Sequence, residues 1–238
     1  MAINLKKLQA TARRKLQLNG PVEWTRAPKS QEAILGKGYL SIRSSGQSHV
    51  IMYSDVSSLS EVDVHHELCK AKLYELGFST IEIAALNAIR DCTKDDPKYI
   101  RDANSATTIV METFANAILF SYFQEESKVE RERMSLRFES SDALTTLHTQ
   151  MGFWGTAGVS YHLAASTNSN VPFPSDLVEK AIARASDGQE IKKEYDQINS
   201  LLRELPKLVS LERISEQNSM QIIDIIMRLF SAKTGLEC

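Results

Sequence analysis

The sequence predicts an α-rich α+β fold, and three observations carry that prediction. Apolar residues recur at helical spacing over most of the chain. Between residues 22 and 53 this pattern gives way to short β-branched and aromatic runs separated by Pro, Gly and Ser. Beyond residue 60 the helical pattern returns and dominates the C-terminal half. With 238 residues and 42% hydrophobic content, the chain suffices for one large domain or two small ones with a real core. We divide it into an α+β region at 1–128 and a helical region at 129–238 packed against it, with one continuous domain as the alternative.

Residues 4–18 carry Leu5, Leu8, Ala12 and Leu16 at helical spacing, and Asn19-Gly20-Pro21 closes that helix. Its basic residues, Lys6, Lys7, Arg13, Arg14 and Lys15, read as a solvated face. Three strands follow at 22–25, 39–43 and 49–53, with a turn at 44–47, and suggest a small antiparallel sheet. Three strands cannot bury a core alone, so the next helices must cover them.

The helix over residues 60–78 has Ser58 and Glu61 in the relation of a capping box and Gly77 at its natural stop. Advancing about 100° per residue places Glu61, His65, Lys72 and Glu75 on a water-facing side. Val62, His66, Cys69 and Leu73 fall on a second side, and Val64, Leu68 and Ala71 on a third. His65 is thus expected at the surface and His66 inward. A helix at 80–90, a polar loop at 91–97 and a long helix at 99–123 come next. That long helix is apolar nearly all round from Ile109, with Glu112 as the acid in the run. A carboxylate so placed must face a cleft, be protonated, or pair with a cation or metal.

A charged segment at 125–133 precedes a helical pattern at 141–165 punctuated by Gly152, Gly155 and Gly158, which either break the helix or permit close packing. After a loop at 167–174, Ser175 and Asp176 cap a helix running toward 185. Helices at 189–205 and 210–232 complete the chain.

Net charge is -2 and the isoelectric point near 6.2, so no global field supports nucleic-acid binding or attraction to a membrane. No run reaches the roughly 18 apolar residues of a membrane span. Cys69, Cys92 and Cys238 form no Cys-x-x-Cys spacing and are expected as reduced thiols in a soluble, unprocessed cytoplasmic protein.

The chemistry concentrates in His66-Glu67-Leu68-Cys69-Lys70. In a zinc peptidase, His-Glu-x-x-His puts two imidazoles one helical turn apart on a metal while the glutamate activates the bound water. Here Lys70 stands at the second histidine. His-Glu-Leu-x-x-Ala followed by Leu73 and Gly77-Phe78 resembles the active-site helix of zincin-like metallopeptidases, including small proteins of the ImmA/IrrE type. The resemblance covers about residues 22–123, and its order of a short sheet, a motif helix and a later acid-bearing helix is also similar to the zincin layout. It implies Glu67 as general base, His66 and Glu112 as zinc ligands, and Asn116 as support for a histidine ligand.

Lys70 departs from that pattern, because an ammonium cannot coordinate zinc and would carry its charge almost where the metal belongs. Three readings stay open. In the first, the protein is a degenerate metallopeptidase whose cleft is held by an ion pair of Lys70 with Glu67 and Glu112, and which binds a peptide or protein partner in a regulatory role without metal. In the second, an active peptidase holds zinc through His66, Glu112 and a replacement ligand among Cys69, His65, His148 and His162. In the third, the match is accidental, His66 is a core histidine, and the chain is a helical scaffold dimerising through its strongly apolar 222–230 helix. His148 and His162, fourteen residues apart, lack metal-ligand spacing and read as structural. Cys92 beside Asp91 has no evident activating base.

Overall fold

The computed structural model describes residues 3–28, 39–45, 48–139, 143–169, 171, 175–185, 188–207 and 211–238. The expected turn at 44–47 and loop at 167–174 fall partly outside that set, as does residue 210. The described elements run α1 (Leu5–Leu16), β1 (Val22–Arg26), β2 (Leu40–Ser45), β3 (Ser48–Tyr53), α2 (Glu61–Glu75), α3 (Phe78–Thr93), α4 (Ile100–Tyr122), α5 (Gln124–Glu139), α6 (Ala143–Met151), α7 (Phe153–Ser169), α8 (Ser175–Arg184), α9 (Gly188–Arg203) and α10 (Glu216–Thr234). The protein is helix-rich with one small sheet, and none of the described helices is long and apolar enough to cross a membrane.

The sheet is mixed rather than antiparallel, in the order β1-β3-β2. β2 and β3 form the expected hairpin, pairing Ile42 with Ile51. β3 then inserts beside β1 in parallel register, Val22 against His49 and Arg26 against Tyr53. The physical reason lies in the connections. Only β2 and β3 are joined tightly enough for an antiparallel hairpin, whereas the long segment after β1 lets that strand lie on the far side of β3.

α4 is the central helix and packs on α2, α3, α7 and α10. Its buried set, including Ile109, Val110, Phe114, Ile118, Leu119 and Phe120, explains why its sequence is apolar on every side. One buried cluster extends from Leu8 to Phe230. A smaller one joins Met134, Leu144, Val159, Leu163, Val178 and Ile191 across α5 to α9. The 222–230 helix face is spent within the chain, since Ile222, Ile225, Ile226, Leu229 and Phe230 are completely buried.

Two expectations about α2 are corrected. Its N-cap is Ser60, closed in a capping box with Asp63, because Ser58 belongs to a preceding 3-10 turn capped by Asp55. Its supposed water-facing side is exposed at Glu61 but covered beyond it. His65 is only 1% exposed, stacks on Phe123 with ring centroids 4.3 Å apart, and lies 2.8 Å from Glu126. Lys72 is buried and donates to the Gln17 carbonyl at 3.0 Å, while Glu75 Oε1 accepts from the amides of Asn19 and Gly20 at 2.9 and 2.7 Å. Lys72 and Glu75 point inward because the loop after α1 lies across them and supplies their partners, whereas His65 is covered by Phe123 and Glu126, where α4 passes into α5. Gly77 does end the helix, with φ +105°.

The glycines of the 141–165 segment take both offered roles. Gly152, at φ +54°, separates α6 from α7. A Cβ on Gly155 would run into the Leu147 carbonyl, so this glycine lets α7 approach α6.

The expectation of three reduced thiols is also corrected. Cys92 in the last turn of α3 is disulfide-bonded to Cys238, with Cα atoms 5.5 Å apart, and Cys69 is a buried free thiol. Packing of α10 on α3 brings the two together across 146 residues of sequence, a proximity no local pattern encodes. Since disulfides persist mainly in oxidising compartments, the argument for a cytoplasmic location from cysteine usage falls away.

Candidate functional site

α2 and α4 cross so that His66, Glu67 and Lys70 face Glu112 and Asn116. Lys70 Nζ lies 2.7 Å from Glu67 Oε1 and 2.7 Å from Glu112 Oε1. His66 Nε2 lies 3.1 Å from the other Glu112 oxygen, Oε2. Asn116 donates to the Glu112 backbone carbonyl at 2.9 Å and places its amide nitrogen 3.2 Å from His66 Nε2. All five residues singled out from the sequence therefore meet. The side chains of His66 and Glu112 are 19% and 16% exposed, so the cluster is nearly but not wholly enclosed. A cavity of about 70 Å³ opens beside it, lined in part by His66, Asn116, Arg133, Tyr161 and His162.

Burial disfavours the charged forms of His66, Glu112 and Lys70, yet the mutual contacts outweigh it. His66 is penalised by burial, but the Glu112 carboxylate raises it from 6.5 to about 9. Burial likewise pushes Glu112 up, but His66 and then Lys70 bring it down from 4.5 to about 2. Lys70 loses hydration and still has its pKa raised, by Glu67 and Glu112. Two cations and two carboxylates make a neutral tetrad, which is how four ionisable groups coexist in a low-dielectric setting.

The residues do not fit a zinc ion. Zinc requires deprotonated ligands at about 2.0–2.2 Å around one point. Here an ammonium already stands between the two acids, at 2.7 Å from each. The suggested replacement ligands do not converge either. Cys69 is buried, and burial raises its thiol pKa well above the ordinary value. His65 is held by Phe123 and Glu126, and His148 lies 3.2 Å from Glu194. Only His162 reaches the cavity that His66 lines. Glu67 is equally ill placed as a general base: Oε1 holds Lys70, and Oε2 is buried without a hydrogen-bond partner among the described residues.

The tetrad has a pH signature. The raised His66 pKa contributes stability that is fully present below pH 6.5 and lost as pH rises through about 9. The depressed Glu112 pKa contributes stability present above pH 4.5 and lost as pH falls through about 2. Urea unfolding should therefore give a midpoint that declines from pH 6.5 to 9. His66→Asn should flatten that alkaline limb; an unchanged slope would mean that His66 is not protonated in the fold.

Sequence reasoning missed a second cluster. His148 on α6 meets Glu190 and Glu194 on α9, with one ligand atom from each lying within 4.8 Å of the others. The signal available was Glu190-Ile191-Lys192-Lys193-Glu194, two acids one helical turn apart on one face. Nothing local tied them to His148. Compared with family models, with curated proteins and with solved structures, the chain gives no match.

Proposed function

We propose that the protein is a degenerate metallopeptidase-like protein, without metal at the His66 cluster, that binds a peptide or protein segment in a regulatory role. The single observation carrying this reading is Lys70 Nζ at 2.7 Å from both Glu67 and Glu112, where catalysis would require a metal and its water. The ammonium holds Oε1 of both acids, which leaves neither placed to activate a water for cleavage.

The binding mode that fits is addition of an extended segment to the β2 edge. β2 lies over α2 and pairs on one side only among the described residues. Ser54 donates its amide to the Tyr39 carbonyl at 3.1 Å, which fixes the alternation along the hairpin. By that alternation the amides and carbonyls of Leu40 and Ile42 face outward.

The test uses a fluorescent peptide selected from a random library on the full chain. Binding should be lost in Ile42→Pro, which removes one outward amide and leaves the β3 pairing intact. Equal affinity in the variant would overturn edge addition. The peptide should remain whole after prolonged incubation with added zinc; cleavage that disappears in Glu67→Gln would overturn the non-catalytic reading.

A further inference from the structure

We infer that His148, Glu190 and Glu194 form a binding site for one divalent first-row transition-metal ion, remote in sequence from His66 and independent of the reading above. One imidazole and two carboxylates suit zinc or manganese, which accept mixed nitrogen and oxygen donors. The geometry is close to what such an ion requires. Donor atoms sharing one metal at bond lengths of about 2.0–2.2 Å sit about 3–3.5 Å apart. His148 Nε2 and Glu194 Oε2 are already 3.2 Å apart. Glu190, the exposed member of the cluster, has a carboxylate oxygen within 4.8 Å of both other donors.

The support around the donors is specific. Thr156 Oγ1 donates to Glu194 Oε2 at 2.9 Å and orients the same oxygen that approaches His148. α7, which carries Thr156, packs against both α6 with His148 and α9 with Glu194. That packing depends on Gly155, whose missing side chain admits the α6 backbone at Leu147 and His148.

Charge argues in the same direction, by contrast with the Lys70 tetrad. Glu190 and Glu194 are like charges one helical turn apart, an arrangement that is mildly unfavourable on a helix. Lys192, between them in sequence, is directed to Asp196 at 3.1 Å instead. Among the described residues no lysine or arginine forms an ion pair with either acid. A divalent cation balances two carboxylates, and the solvent-facing side of the cluster leaves coordination positions for water.

The test is calorimetric titration of the chelator-treated, oxidised full chain with zinc chloride and, separately, manganese chloride, accompanied by thermal unfolding. One equivalent should bind saturably and raise the melting temperature. Glu190→Gln, at an exposed position where folding is undisturbed, should weaken binding at least about tenfold. His148→Gln should do the same, and His66→Asn should leave affinity unchanged. Absence of saturable binding, or equal affinity in Glu190→Gln, would overturn the site. Binding lost in His66→Asn but kept in Glu190→Gln would place the ion at the Lys70 cluster, overturning this inference and the metal-free reading together. Binding lost only in Glu190→Gln and His148→Gln leaves that reading standing.

Discussion

Lys70→Met lowers the unfolding free energy by about 3–5 kcal/mol at neutral pH, the cost of stranding buried charge. The methionine fills much the same volume, so cavity formation contributes little. What changes is that Glu67 loses its 2.7 Å partner and Glu112 loses one of two, retaining His66 at 3.1 Å. Either the acids stay ionised at high cost or they take up protons, which moves the cost into the pH dependence. Adding Glu67→Gln and Glu112→Gln to Lys70→Met should restore most of the loss, because an uncharged set leaves no stranded ion. Urea unfolding of the single and combined variants gives the coupling directly. A loss below about 1 kcal/mol for Lys70→Met, the range of an exposed pair, would show that the ammonium does not hold the acids.

The same residues show where the sequence was informative. Helices were legible because periodicity is local: α4 was expected at 99–123 and spans Ile100–Tyr122. The meeting of Lys70 with Glu112 belongs to one of the three readings the sequence leaves open, since a lone carboxylate in an apolar helix must find a partner and a lysine in a buried helix needs an acid. His65 and Lys72 were misplaced for a complementary reason. A helical projection says which residues share a face but not how many faces the rest of the chain will cover, and α2 is covered nearly all round. Pairings that cross the fold left no trace: β3 inserting beside β1, His148 reaching Glu190 and Glu194, and Cys92 meeting Cys238 each depend on tertiary packing.

The last of these pairings predicts the other large effect. Closing a loop across 146 residues restricts the unfolded chain severely, and loop-closure entropy puts the stabilisation at about 5 kcal/mol. The native fold supplies proximity without the bond, since α10 is anchored by Ile222, Ile225, Ile226, Leu229 and Phe230 in the core. Reduction should therefore leave circular dichroism unchanged while lowering the urea midpoint strongly. Cys92→Ser and Cys238→Ser should each cost as much as reduction, and the double variant no more than either, because each removes the same constraint. Costs that add would instead locate the effect in separate local contacts, such as the 3.8 Å approach of Cys92 Sγ to the Glu237 carbonyl. A midpoint indifferent to reductant would mean that the bond does not form in solution. The distinction bears on the candidate site, because α4 carries Glu112 and packs against both α2 and α10. If the constraint acts only on the unfolded chain, reduction leaves the alkaline limb due to His66 in place; if it holds α10 against α4, reduction flattens that limb as well.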